Sequence, residues 1–353
     1  MTAVDRLIGR LLAADVPLER RALTAAARSL LAEEAPLEDQ SIVDGVVDAL
    51  VGLGPLEPLL ADPTVSDVLV NGPHHVWVDR HGALQETPVG FIDDAAVVAT
   101  VERSLASLGL RIDRASPMVD ARLPDGSRLH AVLPPVAVDG PIVAIRRFTA
   151  VVADIADLVA AGAVDAPGAG LLADLVAERK NLIVSGGTGS GKTTLLNVLS
   201  TEIPTGERVV TIEDAAELTL AGHVVRLEAR PANSEGVGEI SIQQLVRSAL
   251  RLRPDRIIVG EVRGPEALDM IWALNTGHAG SMSTVHANSP DEALWRLETL
   301  AMSGDRRVGE ESLRRQLVSA IDVVVQVART EAGRLITEIS TVGTTGVERI
   351  WQR

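Results

Sequence analysis

The sequence predicts an α/β chain in which a smaller α+β module, preceded by short helices, is followed by a larger domain built on a helix-covered parallel sheet. Three observations predict this. The chain has 353 residues, a length that supports two cores. From about residue 150, short apolar strands alternate with amphipathic helices, and strands that are apolar on both sides belong in a parallel sheet covered on both faces. Before that point, short strands are joined by tight turns and interrupted by a single helix.

Residues 1–60 read as short amphipathic helices. Leu7, Leu11 and Leu12, then Ile42, Val46, Val47 and Leu50, recur at helical spacing, and Gly-Leu-Gly-Pro at 52–55 closes the run. Residues 61–149 form the α+β module. VSDVLVN from Val65 and HVWVDR after Asn71-Gly72-Pro73 read as two strands with a tight connection. A helix starts near Asp93-Asp94, where carboxylates suit the positive end of the helix dipole, and ends near Gly109. PMVDARLP, a turn at Asp125-Gly126, SRLHAVLPP and PIVAIRRF complete the sheet, which ends near Phe148.

Residues 150–353 read as one alternating domain. GAGLLADLVAERK is helical, NLIVSG a strand and GKTTLLNVLSTEI a helix; ERVVTIED is a strand and SIQQLVRSALRLR a helix. RIIVGEV, PEALDMIWALNTG, GSMSTVH and DEALWRLETLAM repeat the alternation. ARPANSEGVGEI at 229–240 has no periodicity and reads as a mobile loop. The segment SAIDVVVQVARTEAGRLITEISTVG reads as a hairpin turning between Glu331 and Gly333.

Charge and composition narrow the function. With 33 Lys+Arg against 48 Asp+Glu, the net charge is -15, which argues against a protein that coats nucleic acid, since phosphate binding needs a basic footprint. The absence of Cys excludes disulfides, thiolate zinc sites and thiol nucleophiles. No apolar run reaches the length of a membrane span, and the first residues lack the pattern of a signal peptide, so the expectation is a cytoplasmic protein. Lys180 and Lys192 are the only lysines in a chain that otherwise uses arginine.

Lys192 lies in the strongest motif. Gly186, Gly187, Thr188, Gly189, Ser190, Gly191, Lys192 and Thr193 fit G-x-x-x-x-G-K-[ST] between an apolar strand and a helix, and Thr194 continues it. Glycines let consecutive backbone N–H groups face a phosphate, and the helix N-terminus favours the anion. Lysine brings a compact ammonium where the wider guanidinium fork of arginine would crowd phosphate oxygens. The expected ligands are ATP and Mg2+, with Thr193 and Glu261 on the metal, partly through water. Glu261 ends the strand RIIVGEV. ERVVTIED delivers Glu213 and Asp214 to the same carboxyl edge; one of the pair is expected to cap a helix, and Glu213 to act near the attacking water. Either Glu213 or Glu261 could serve as base. His278 and His286 flank GSMSTVH and suggest a γ-phosphate sensor.

The motif at 186–194, TIED-x-x-EL at 211–218, RPDRIIVGEVR at 253–263 and GHAGSMSTVHANS at 277–289 occur in that order. This series resembles the secretion ATPase superfamily of type II and type IV secretion and type IV pilus motors. GLGPLEPLL, VNGP, ASPMVDARLPDGSR and IRRF resemble its TadA/CpaF branch, which powers Tad (Flp-type) pili and related conjugal-transfer systems. The resemblance implies a homo-hexameric ATPase with a PAS-like N-terminal domain and a RecA-like domain, and ATP bound between them. It further implies an inner-membrane platform protein as partner, with the motor at the inner face of the cytoplasmic membrane. By the same resemblance Gly186–Thr194 are the Walker A loop, Glu261 the Walker B glutamate, Glu213 the acid of the Asp box, and His278 and His286 the His box. Arg122 and Arg128, with Arg114 third, match the family's phosphate-reaching arginines, while Arg146 and Arg147 stand at the domain junction. The main expectation is a pilus-assembly or secretion motor; the alternative is a nucleic-acid-translocating motor of a conjugation or DNA-uptake system. Six aromatic residues, four Trp and two Phe, leave little for stacking on single strands.

Overall fold

The computed structural model describes all residues except 1–2, 15, 18, 35–38, 40, 81, 148–153, 233–236, 305–307 and 332. It divides into two units, Met1–Thr149 and Ala150–Arg353. The expected end of the α+β module near Phe148, the middle of the 229–240 loop and the middle of the turn after Glu331 lie outside the described residues.

In unit 1, α1 (Ala3–Ala13), α2 (Arg20–Glu34) and α3 (Ser41–Val51) share a small core of Leu7, Leu11, Leu23, Leu31, Val46 and Val47. A 3-10 turn, Gly54–Leu56, leads into the short α4 (Glu57–Ala61). A six-stranded sheet follows, built of β1 (Val65–Asn71), β2 (Val76–Arg80), β3 (Ala83–Glu86), β4 (Met118–Arg122), β5 (Arg128–Val132) and β6 (Ile142–Arg146) in the order β3-β2-β1-β6-β5-β4. Every pairing in it is antiparallel. Alternate residues such as Val68, Val70, Val76, Val78, Leu129 and Ile145 form its core with Val97, Val101 and Leu105 of α5 (Asp94–Ala106), because side chains alternate across a strand. Asp93 caps α5 by accepting the Ala96 N–H at 2.8 Å. β3 was not expected: ALQE is exposed at all four positions and carries no apolar signature.

Unit 2 begins with α6 (Ile155–Ala160) and α7 (Ala166–Ala177), then β7 (Leu182–Gly186), α8 (Lys192–Thr201) and β8 (Arg208–Glu213). β9 (His223–Glu228), α9 (Ile242–Ala249), β10 (Arg256–Val262), α10 (Glu266–Leu274) and β11 (Met282–His286) follow. The remainder is α11 (Pro290–Met302), α12 (Glu310–Ala320), β12 (Val323–Thr330), β13 (Gly333–Gly343) and β14 (Gly346–Gln352). The sheet order is β14-β13-β12-β7-β11-β10-β8-β9.

The strands that alternate with helices form the expected parallel sheet, and antiparallel strands at its C-terminal side make the whole sheet mixed. Strands β12, β7, β11, β10, β8 and β9 run parallel, and β13 and β14 extend them antiparallel. Neighbouring residues on one strand feed opposite cores: Val184 packs with Leu172, Leu195 and Leu199, Ile183 with Ile271, Leu297 and Leu317. Helices therefore cover both faces. Strands β9 and β14 and helix α12 were not anticipated. β9 joins β8 without an intervening helix, so the strand-helix alternation gave no cue. In the 229–240 segment, Arg230 and Ile240 form an isolated antiparallel bridge.

Candidate functional site

The phosphate loop leaves the end of β7 and enters α8, in the strand-turn-helix context that its sequence motif requires. Gly186 pairs with His286 of β11 and with Val327 of β12. A Cβ on Gly186 would lie 2.5 Å from the Val327 carbonyl oxygen and 2.6 Å from Ser190 Oγ, so this position admits only glycine. Gly191, with φ of 98°, caps α8 in the left-handed region. Lys192 is 9% exposed, and its Nζ donates to the carbonyls of Gly186 (3.0 Å) and Gly187 (2.9 Å). Burial pushes the Lys192 ammonium below its ordinary pKa, Glu261 pulls it back up and Arg263 adds to the depression. Thr193 and Thr194 are half-buried in the first turn of α8.

Three other strands deliver their ends to the same carboxyl edge. Glu261, near the end of β10, accepts from Arg263 at 2.5 Å, and its other oxygen lies 3.7 Å from His286 Nδ1. Burial acts to raise the Glu261 pKa, but the Arg263 hydrogen bond and charge, with Lys192 and His286, hold it below the usual carboxylate range. His286 Nε2 is hydrogen-bonded with Thr188 Oγ1 at 3.2 Å. A connected path therefore runs Arg263–Glu261–His286–Thr188. Beneath it, Ser185 Oγ donates to Gln326, and Thr284 Oγ1 donates to the Gly260 carbonyl at 2.7 Å.

Glu213 is 3% exposed and lies against Gly260, where a Cβ would sit 2.9 Å from Glu213 Cγ. Its Oε1 accepts the backbone N–H groups of Glu217 and Leu218, both at 2.9 Å, and its Oε2 has no hydrogen-bond partner among the described residues. Burial raises its pKa against the opposing pull of those N–H groups. The expected helix cap is thus a correction: no helix follows β8, and Glu213 holds a turn instead. Asp214 stands 3.5 Å from Arg263.

The structure does not bring His278 to this edge. It precedes β11, at the opposite end of the strand from His286, and its Nδ1 donates to the Ala273 carbonyl at 2.9 Å. In unit 1, Arg122, Arg128 and Arg146 occupy facing positions on β4, β5 and β6, which sets three guanidinium stems in one row. Arg147 instead donates to the carbonyls of Asp62 and Val65, and Arg114 is exposed. Sequence reasoning missed Arg263, although it closes the segment RPDRIIVGEVR. It also missed Arg334, whose Nε donates to the Gly189 carbonyl at 3.1 Å.

The chemistry of such a constellation is that of a polyphosphate site: a backbone cradle, one ammonium, and a carboxylate kept charged beside it. The family model for the type II/IV secretion system protein matches residues 49–343. The chain belongs to that family. A putative conjugal transfer protein of Mycobacterium tuberculosis is 47% identical over 292 residues, covering 81% of this chain and 82% of that protein. The conjugal transfer protein TrbB of Rhizobium radiobacter is 33% identical over 287 residues, covering 79% and 84%. Among solved structures, the pilus retraction motor PilT with bound ADP superposes with a TM-score of 0.59 at 19% identity, covering 83% of each chain. That likeness is one of fold, in both the antiparallel N-terminal sheet and the mixed C-terminal sheet.

Proposed function

We propose that this chain is the ATP-hydrolysing motor of a conjugation or type IV secretion machine. The observation that carries the reading is the convergence of Lys192, Glu261 and His286 on one phosphate loop at the carboxyl ends of the parallel strands. The names of the relatives favour conjugal transfer over pilus assembly, so the nucleic-acid-linked alternative moves ahead of the Tad-pilus expectation. Assignment to the TadA/CpaF branch rests on GLGPLEPLL, VNGP, ASPMVDARLPDGSR and IRRF alone. A homo-hexamer, an inner-membrane platform protein as partner, and a place at the inner face of the cytoplasmic membrane complete the proposal. No helix among the described residues is long and apolar enough to cross a membrane.

The residues fit a metal-bound nucleotide. A Cβ on Gly186 would collide with the Val327 carbonyl, so the loop starts pressed against β12, and it ends at the N-terminus of α8, where an anion is favoured. Thr193 and Glu261 supply hard oxygen donors suited to Mg2+, which in such sites takes few protein ligands and completes its shell with phosphate oxygens and water. Bound Mg2+ would neutralise charge on the phosphates. Lys192 would exchange the Gly186 and Gly187 carbonyls for phosphate oxygens, and Glu261 would orient the attacking water. Glu213 holds the Glu217 and Leu218 N–H groups through Oε1 alone, so both Glu213 and Glu261 stand as candidates for the base.

The test is steady-state phosphate release by the full chain, with and without added DNA. Measurable release that DNA stimulates in a salt-sensitive way supports a nucleic-acid-coupled motor; release indifferent to DNA supports a protein-coupled one, and no release sinks the enzyme reading. Arg128→Ala is expected to lower kcat about 10-fold or more while changing nucleotide affinity by less than about 3-fold, as for a group acting mainly in the transition state. Weaker binding at unchanged kcat would make Arg128 a docking residue.

A further inference from the structure

Arg263 sits on a turn that is fixed from below. Its backbone N–H and that of Gly264 both donate to Glu266 Oε1 at 2.7 Å, and Glu266 is buried. A Cβ on Gly264 would lie 2.9 Å from Glu266 Oε2. The side chain, by contrast, is 60% exposed and divides its guanidinium between two carboxylates, Glu261 at 2.5 Å and Asp214 at 3.5 Å. The pair is open to solvent on the arginine side, so the guanidinium can swing from one carboxylate to the other without being buried or unburied.

Asp214 opens a segment, 214–219, that is tied to several elements. Glu213 of β8 accepts the N–H groups of Glu217 and Leu218, and Arg226 of β9 donates to the Ala216 carbonyl at 3.2 Å. Asn197 accepts the Thr219 N–H at 2.9 Å. Asn197 lies on α8, the helix that Lys192 begins. One continuous brace therefore joins Arg263 to the phosphate-loop helix.

We propose that Arg263 is a positioning residue: the resident counter-cation of Glu261, which gives up that carboxylate when metal-bound nucleotide enters and then leans on Asp214 alone. The inference rests on the proposed function, since it assigns Glu261 to the metal side. A guanidinium hydrogen-bonded to Glu261 Oε2 and a divalent cation drawn to the same carboxylate compete directly. Arg263 then couples occupancy of the site to the grip on the 214–219 segment, and through Asn197 to α8.

The experiment is Mn2+ binding, followed by electron paramagnetic resonance, on the full chain loaded with ADP. With the competitor removed, Arg263→Gln should tighten Mn2+ binding about fivefold or more, leave metal-free ADP affinity within about 3-fold, and still lower kcat because the 214–219 segment loses the arginine that holds Asp214 in the loaded state. Arg263→Lys keeps the charge and should remain within about 3-fold of the wild type in Mn2+ affinity. Unchanged or weaker Mn2+ binding in a folded Arg263→Gln protein overturns the inference, as does equal tightening by the lysine variant. If the wild-type ADP complex binds no Mn2+ at all, the reading of the site itself fails; if it binds and Arg263→Gln binds no better, only the role of Arg263 fails.

Discussion

Lys192→Ala is expected to lower steady-state phosphate release by at least about 100-fold and to weaken nucleotide binding in the same protein. The ammonium is nearly enclosed and already points its hydrogens at the loop carbonyls of Gly186 and Gly187, so it needs only to change acceptor when phosphate enters. Partial desolvation makes each charge-assisted hydrogen bond there stronger than on an open surface. Alanine removes both the charge and the donors. Lys192→Arg should be nearly as damaging, because the wider planar fork would crowd phosphate oxygens that a compact ammonium accommodates. Phosphate release and fluorescent-nucleotide titration read both effects, and wild-type turnover in Lys192→Ala would refute the site.

Glu261→Gln should give a different pattern: kcat lowered about 100-fold or more, with ADP affinity within about 3-fold of the wild type. Gln keeps the shape and one oxygen of Glu but carries no charge. Arg263, Lys192 and His286 hold the Glu261 pKa down, so the carboxylate stays charged at pH values where an ordinary glutamate would begin to take up a proton. The wild-type pH–rate profile should accordingly keep its activity on the acid side beyond the usual glutamate range. A profile that fell as an ordinary glutamate titrates, or a Gln variant with normal kcat, would remove Glu261 from the chemistry.

The parts of this site that sequence exposes are those whose requirements are local. The phosphate loop needs its strand end, glycines, lysine and helix start within a few residues, so its motif and context can be read together. Glu261 was legible because it ends a strand of apolar residues. Arg263 was not, since the sequence does not say that it pairs with Glu261 two residues back and with Asp214 just past β8, and an arginine draws no notice in a chain with only two lysines among 33 basic residues. His278 and His286 are close in sequence, but a strand separates them and carries them to opposite edges of the sheet. Glu213 and Asp214 looked alike as neighbours; burial divides them, giving one to the turn and the other to Arg263.

Edges and connections were harder to read than interiors. β7 and β8 announce themselves with apolar runs, whereas β9 and β14 are partly or wholly exposed along their lengths. Edge strands keep polar residues that blunt pairing with other chains, and that protection also hides them from a reading based on hydrophobic pattern. The row formed by Arg122, Arg128 and Arg146 was visible only as scattered arginines, because register across three strands cannot be counted along one.

The floor of the phosphate loop is supplied from far along the chain. Val327 pairs with Gly186, and Arg334 reaches the Gly189 carbonyl with its stem 3.2 Å from the position of a Cβ on Gly191. A ribosome that has translated through residue 320 has therefore made every residue of the glycine-lysine motif but not the surface on which it rests. Contacts of such wide sequence separation close late, after the local helices and turns. The phosphate loop thus gains its full support only when this domain is nearly complete.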